Sequence, residues 1–272
     1  MELFLLVGAL LFAGAIAGIT SGLFGVGGGF IVVPALLAVF PLFDAVSEKH
    51  IFVAIGTSLA TIIVSSARSV QAHHRRGAVD FNLLRAWAPW LVVGSLFGIG
   101  IAAFVDAGNL VLVFAIGVFL YSFYFLLPEL FQGNGEAWNM PSGTGRAALA
   151  SGLGGFSALL GIGGGTPFIF TMVMCGRSLH QAVATAAGVG FCIALPGAAG
   201  FLVIGFADSG LPWGSVGYIN VPALLAISVM SVFTAPIGAN LAHSLNEMTL
   251  KRIFGIYLLI VSVSMFYKTI TM

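Results

Sequence analysis

Residues 21 to 29 read Ser-Gly-Leu-Phe-Gly-Val-Gly-Gly-Gly, and these nine residues decide how the surrounding chain folds. They interrupt an apolar stretch that runs from residue 3 to residue 42. A continuous helix over that stretch would be about 60 Å long, twice the roughly 30 Å hydrocarbon core of a bilayer. Because four glycines within five positions disrupt a helix, we predict that the chain breaks and turns back here.

The same pattern returns 136 positions later, where residues 157 to 165 read Ser-Ala-Leu-Leu-Gly-Ile-Gly-Gly-Gly. The segment that starts at His50 likewise resembles the segment that starts at His180. Matches of this kind indicate an internal duplication that covers nearly the whole chain. We therefore predict a first transmembrane repeat in residues 1–127, a polar cytoplasmic linker in 128–145 and a second transmembrane repeat in 146–272.

The composition excludes a soluble globule. Hydrophobic residues make up 59% of the chain and charged residues only 7%, against roughly 25% charged residues in soluble domains. The formal net charge of +1 provides no basic surface for nucleic acid. We predict an all-α integral membrane protein whose surroundings are the lipid bilayer. The apolar stretches that approach the length of a spanning helix are residues 51–72, 83–105, 109–127, 181–204, 219–242 and 251–267.

The positive-inside rule predicts the orientation. Residues 73 to 76 read His-His-Arg-Arg and should form a cytoplasmic loop, with His180 in another. Arg177 and residues 251–252 are also cytoplasmic only if each half crosses the membrane an odd number of times. We therefore predict two inverted-topology repeats with both termini outside. Each repeat combines a glycine-broken unit, either a re-entrant hairpin or two short helices, with three transmembrane helices.

The glycine turns are the predicted binding site. Irregular backbone at membrane depth persists only where protein or an aqueous cavity satisfies its polar groups, and glycine lets a ligand approach the main chain closely. Helices that start near Phe30 and Thr166 would direct their partly positive N-termini into that cavity, which favours an anion. Thr166 suits an N-cap and Pro167 the first helical position. The predicted substrate-binding residues are Ser21, Gly25, Gly27, Gly28, Gly29, Thr57, Ser58, Ser157, Gly161, Gly163, Gly164, Gly165 and Thr166.

Other small and polar residues have simpler interpretations. Gly14 and Gly18 read as a small-residue packing seam, and Ser65 and Ser66 could line the path. No Asp or Glu lies in the middle of an apolar stretch, so a carboxylate relay is not expected. Any coupling would then use a proton carried by the substrate or an unrecognised polar group. Neither a hydrolase residue set nor a metal-ligand cluster is evident, so we predict no enzyme, cofactor or metal.

Residues 21 to 34, residues 157 to 168 and the two histidine segments resemble the TauE/SafE family of sulfite and organosulfonate exporters. The resemblance implies a permease of the bacterial or archaeal cytoplasmic membrane that exports a small sulfur-containing anion, such as sulfite, sulfoacetate or a related sulfonate. It fits an alternating-access transporter. Two alternatives stay open: a membrane sensor or assembly subunit that binds a ligand without transport, and a carrier for a different small solute. The sequence does not indicate an oligomeric state.

Overall fold

The structure is a computed structural model that describes residues 2–42, 49–127, 138–242, 244 and 246–271. Helices follow one another in the same order in both halves of the chain. The first half contains α1 (Glu2–Phe24), α2 (Gly29–Val39) with a 3-10 turn (Phe40–Leu42), α3 (His50–His74), α4 (Phe81–Ala102) and α5 (Ala107–Leu126). The second contains α6 (Gly143–Leu160), α7 (Gly165–Met174), α8 (Leu179–Ile204), the strands β1 (Ser215–Val216) and β2 (Ile219–Asn220), α9 (Val221–Ala242) and α10 (Glu247–Thr271).

Six helices in the described residues are long and apolar enough to cross a membrane: α1, α3, α4, α5, α8 and α9. The prediction of an all-α membrane protein is therefore confirmed. The structure differs from the sequence expectation at α1, because the glycine break follows a full 23-residue helix. Only the second arm of each hairpin is short, since α2 has 11 residues and α7 has 10. At about 1.5 Å per residue, each short arm covers roughly half of a hydrocarbon core.

Two seams of small residues bring helices of opposite halves into close contact. A Cβ on Gly14 of α1 would lie 2.6 Å from the carbonyl oxygen of Ile227, and one on Gly22 would lie 2.0 Å from that of Ala235. Because contact positions rise together along both helices, α1 and α9 run parallel. This confirms the packing role predicted for the glycines of α1. The contact of Gly98 with Gly155 belongs to an equivalent parallel seam between α4 and α6.

The helices α3 and α8 form the centre of the protein and run antiparallel. A Cβ on Gly197 of α8 would lie 3.0 Å from Leu59, and one on Gly190 would lie 3.8 Å from Ile62. Most of α3 is buried on all sides. The pair α5 and α10 is also antiparallel, since Phe119 contacts Phe266 whereas Gly255 lies against Leu126. The core therefore surrounds α3 and α8.

The histidines do not lie in loops, so that prediction is wrong. His73 and His74 form the last turn of α3, and His180 lies in the first turn of α8. His73 is buried, with its Nε2 atom 2.9 Å from the carbonyl oxygen of Gly22. The helix continues through His74 because the chain breaks only at the turn around Gly77. Of the predicted linker, residues 128–137 lie outside the described residues, and α6 already begins at Gly143.

Candidate substrate site at the crossed glycine turns

The two glycine turns have the same backbone conformation. We call residues 25–28 the first turn and residues 161–164 the second turn. In the first, the φ angles of Gly25, Gly27 and Gly28 are 64°, 77° and 84°. In the second, the three equivalent glycines have φ angles of 66°, 69° and 71°. Because this left-handed region disfavours residues with a Cβ, the repeated glycines of the sequence fix the shape of both turns.

The two turns cross and touch each other reciprocally. A Cβ on Gly29 would lie 2.3 Å from the carbonyl oxygen of Gly161. In the equivalent contact, a Cβ on Gly165 would lie 2.4 Å from the carbonyl oxygen of Gly25. There is no room for a side chain at either position. The turns thus bring the start of α2, at Gly29, and the start of α7, at Gly165, to one place in the core.

Each turn also rests on the central helix of the other half. A Cβ on Gly25 would meet the carbonyl oxygen of Val183 in α8, and one on Gly161 would meet Ile55 in α3. Ile55 and Val183 are 128 positions apart, which defines the structural equivalence of α3 and α8. His50 and His180 are 130 positions apart. The two histidines that match in sequence are therefore not structurally equivalent.

Serine side chains of α3 hold both turns. The Ser58 hydroxyl donates a hydrogen bond of 2.7 Å to the carbonyl oxygen of Gly161, and the Ser65 hydroxyl donates one of 2.9 Å to that of Gly27. Ser69 donates to the carbonyl oxygen of Ser21 over 3.1 Å. The first two bonds satisfy carbonyl groups of the turns themselves, whereas the Ser21 carbonyl also accepts the Gly25 amide. These bonds therefore fix the orientation of the peptide groups at the site.

Four further hydroxyls around the turns are fully buried and have no hydrogen-bond partner among the described residues. They belong to Ser21, Ser66, Ser157 and Thr166. The Ser157 hydroxyl lies 3.0 Å from the position of a Cβ on Gly164, and the Ser66 hydroxyl lies 3.3 Å from that of a Cβ on Gly27. Buried hydroxyls are normally hydrogen-bonded. A cluster of unpartnered ones is consistent with a ligand-binding function.

Most of the sequence-predicted residues come together here. The eight glycines, Ser21, Ser157, Thr166 and Ser58 all belong to the two turns or their immediate surroundings. Thr57 instead faces the start of α9, where its hydroxyl accepts a hydrogen bond of 2.8 Å from the Asn220 amide. Sequence reasoning missed Ser69 and the burial of His73. Their signal was spacing, because residues 58, 65, 69 and 73 recur on one side of an α-helix.

The helix ends supply positive electrostatic potential to the turns. The first amides of α2 and α7 have no partner within their own helices, and each N-terminus carries about half a positive charge. The side chains that contact the turns are aliphatic or hydroxyl-bearing, as with Ile55, Ile62 and Ser66. Arg68 of α3 donates a hydrogen bond to Gln71 on the exposed side of that helix. Attraction of an anion would therefore come from backbone and hydroxyl groups.

Ion pairs close both ends of the α3–α8 pair. At one end, Lys49 Nζ lies 3.3 Å from Asp208 Oδ1, and we call this pair the first latch. At the other end, Arg177 Nη1 lies 4.0 Å from Asp80 Oδ2, and we call this pair the second latch. The two latches are related by the same 128-position shift as α3 and α8. Hydrogen bonds from the Tyr218 hydroxyl and from Lys49 lower the pKa of Asp208 below its ordinary value.

A threonine of each central helix accepts a hydrogen bond from the opposite half, and in the second latch the donor is Asp80 itself. The Asp80 amide donates to the Thr185 hydroxyl over 3.0 Å, as the Asn220 amide donates to Thr57. Thr57 and Thr185 are again 128 positions apart. Asp80 is also the N-cap of α4, because its carboxylate accepts a hydrogen bond from the Leu83 amide. The second latch therefore includes the N-cap residue of a helix. Both latches thus connect the start of a central helix to the opposite half.

Residues 10–265 match the sequence profile of the family described as sulfite exporter TauE/SafE. The chain belongs to the TauE/SafE family. It is 31% identical over 263 residues to a probable membrane transporter protein of Haemophilus influenzae, covering 95% of this chain and 97% of the relative. A probable membrane transporter protein of Methanocaldococcus jannaschii is 25% identical over 251 residues, covering 92% of this chain and 91% of that protein. No solved structure matches this TauE/SafE chain significantly.

Proposed function

We propose that this TauE/SafE membrane transporter exports a small sulfur-containing anion, such as sulfite or a sulfonate, by alternating access. The carrying observation is the meeting of two helix N-termini at the crossed turns, surrounded by the buried hydroxyls of Ser21, Ser66, Ser157 and Thr166. Amides at helix N-termini bind anions through both hydrogen bonds and the helix dipole. The substrate would lie against the two turns.

Relative helix directions support an inverted relation between the halves. The equivalent helices α3 and α8 run antiparallel, and the parallel pairs α1–α9 and α4–α6 each join helices from opposite halves, as an inverted arrangement would require. Transporters built from inverted repeats bind substrate at the repeat interface and alternate by rocking one repeat against the other. The crossed turns lie at such an interface, with one turn contributed by each half.

The two latches are suited to close the two sides of the protein in turn. Lys49 and Asp208 would close the outer side, and Arg177 and Asp80 would close the cytoplasmic side. This assignment agrees with the positive-inside rule, since Arg177 and the basic residues after α3 then lie together in the cytoplasm. Both termini would be outside the cell, in a bacterial or archaeal cytoplasmic membrane.

The decisive experiment measures anion flux with purified protein in liposomes. Sulfite, sulfoacetate, sulfate and chloride are compared with a cation control under an imposed gradient. Selective flux of sulfite or a sulfonate would establish transport and the substrate class together. Binding without flux would favour a sensor or assembly subunit, whereas flux of an unrelated solute would identify a different carrier.

The orientation has its own test. Tags at both termini should be accessible to antibodies or proteases from outside intact cells. Insertions at Gly77, in the basic segment after α3, should be accessible only after permeabilisation. A cytoplasmic C-terminus would contradict the inverted arrangement without affecting the proposed anion site.

A further inference from the structure

We propose that the crossed turns select a singly charged oxyanion over a doubly charged one. This inference rests on the proposed function and specifies the charge of its substrate. The two helix N-termini together supply roughly one positive elementary charge. The side chains that contact the turns, such as Ile55, Ile62 and Ile193, carry no charge. A dianion would therefore retain about one uncompensated charge in a buried site, which is strongly unfavourable.

The unpartnered hydroxyls are a second, independent observation that points to an oxyanion. Ser66, Ser157 and Thr166 are fully buried, and the hydroxyls of Ser66 and Ser157 approach glycines of the turns. A hydroxyl can donate one hydrogen bond without adding charge. Three or four such donors, beside the N-termini of α2 and α7, match an oxyanion that has several acceptor oxygens and one negative charge. We therefore assign Ser66, which the sequence predicted only as a residue lining the path, to the binding site.

Two ionisable side chains near the turns contact backbone carbonyl oxygens. His73 contacts the carbonyl oxygen of Gly22 at the end of α1, and Tyr257 donates a hydrogen bond of 3.1 Å to the carbonyl oxygen of Phe30. Arg68 donates to Gln71 of the same helix, and its Nε atom is buried without a hydrogen-bond partner among the described residues. We expect any pH dependence of transport near neutrality to follow the substrate. Sulfite exchanges a proton near neutral pH, so bisulfite would be the transported form and would carry its proton with it.

Two sulfonates of similar size give the sharpest test. Isethionate is a monoanion at neutral pH, whereas sulfoacetate has a sulfonate and a carboxylate and is a dianion. In proteoliposomes we expect isethionate flux to exceed sulfoacetate flux about tenfold or more. We also expect sulfite flux to rise as the pH falls through neutrality, while isethionate flux stays constant. Equal fluxes, or faster sulfoacetate flux, would overturn the charge selection and leave anion transport intact. Absence of flux for every anion would overturn the proposed function itself.

Substitutions of Ser66 and Thr166 test whether their hydroxyls contact the substrate. Ser66→Ala and Thr166→Val should raise the KM for isethionate several-fold, because each removes one donor to the anion. Thr166→Ser keeps the hydroxyl and should retain most of the wild-type KM. The matched control is Ser122→Ala, since the Ser122 hydroxyl bonds the Phe119 carbonyl of its own helix α5. An unchanged KM in folded Ser66→Ala and Thr166→Val proteins would show that these hydroxyls do not contact the substrate. His73→Gln should leave the pH profile of sulfite flux unchanged, and a flattened profile would assign the proton to His73.

Discussion

The central helices α3 and α8 occupy equivalent positions but differ in chemistry. With the 128-position shift, Ser58, Ser65, Ser66 and Ser69 of α3 correspond to Ala186, Ile193, Ala194 and Gly197 of α8. Every α3 residue of this set carries a hydroxyl, and every α8 residue is apolar or lacks a side chain. The hydrogen bonds that hold both glycine turns therefore come from the first half.

This difference separates two requirements that a duplicated protein must meet. The shape of the turns needs glycine at equivalent positions in both halves, since each turn has the same three left-handed residues. The hydrogen bonds need only one donor helix, because the turns cross and α3 reaches both of them. A pseudo-symmetric backbone can thus contain an asymmetric binding site.

The largest effect is expected from a side chain in either turn. Gly28→Val or Gly164→Val should abolish transport, because β-branched residues are strongly disfavoured at φ angles of 84° and 71°. A Cβ would also lie 2.7 Å from the Ala17 carbonyl oxygen or 2.3 Å from Ile193. Flux in proteoliposomes measures the effect. The matched control is Gly152→Val, since a Cβ on Gly152 of α6 meets nothing within 4 Å.

Loss of expression alone would not decide this prediction, so folding is followed separately. Monodispersity and thermal unfolding in detergent identify variants that retain the native fold. Smaller substitutions, Gly28→Ala and Gly164→Ala, should reduce flux in the same direction with less disruption. A folded Gly28→Val or Gly164→Val protein with wild-type flux would show that the turns do not line the pathway.

A smaller effect is expected from the serines of α3. Ser58→Ala and Ser65→Ala each remove one hydrogen bond to a turn carbonyl. Leaving a buried carbonyl unpaired costs about 1–3 kcal/mol, so each variant should unfold at a lower temperature and transport several-fold more slowly. The double variant should lose the serine hydrogen bonds to both turns. Unfolding temperatures equal to that of Ser122→Ala would contradict a role of these serines in holding the turns.

The sequence predicted the features that follow from backbone constraints alone. Four glycines in five positions cannot continue a helix, so the break after Phe24 and the start of α2 at Gly29 could be predicted. The duplicated motif predicted the start of α7 near Thr166 in the same way. Both breaks follow from the low helix propensity of glycine and from the thickness of a bilayer.

Features that depend on the register between helices could not be predicted. The match of His50 with His180 suggests a shift of 130 positions, whereas the contacts of Ile55 and Val183 define a shift of 128. Two residues turn a helix by about 200°, so the sequence match directs attention to the wrong face of α8. Thr57 and Ser58 are adjacent in sequence, but Thr57 faces Asn220 and Ser58 faces the second turn. The sequence alone could not show which of the two reaches the turns.

The latches should produce a modest shift between conformations. Asp208→Asn weakens the first latch, and Asp80→Asn weakens the second while keeping a good cap for α4. Partly exposed ion pairs contribute about 0–1 kcal/mol, so each conformational population should change by a few-fold at most. Asp106→Asn is the control, because Asp106 precedes α5 without a side-chain cap hydrogen bond.

Single cysteines at two equivalent positions can report this shift. Ile55→Cys and Val183→Cys are introduced separately after Cys175 and Cys192 have been replaced by serine. Asp208→Asn should increase labelling of the cysteine at position 55 by an impermeant maleimide from outside. Asp80→Asn should increase labelling at position 183 from the cytoplasmic side. Increased labelling from the same side in both variants would contradict the proposal that the two latches close opposite sides of the protein.

The smallest effect concerns the acid stability of the first latch. The Tyr218 hydroxyl and Lys49 lower the pKa of Asp208, so the ionised carboxylate is favoured in the folded protein. The stabilisation is therefore complete above the ordinary pKa of an aspartate and is lost as the pH falls through the lowered folded value. Tyr218→Phe removes the hydroxyl that donates to Asp208, so the folded pKa of Asp208 should return towards its ordinary value and the latch should stabilise the neutral-pH protein less. The unfolding temperature of Tyr218→Phe should lie below that of the wild-type protein at neutral pH, and the two curves should converge as the pH falls into the acidic range. Coinciding curves would mean that the Tyr218 hydroxyl does not stabilise the charged latch, and a constant difference at every pH would indicate that Tyr218 acts through its packing against Phe52.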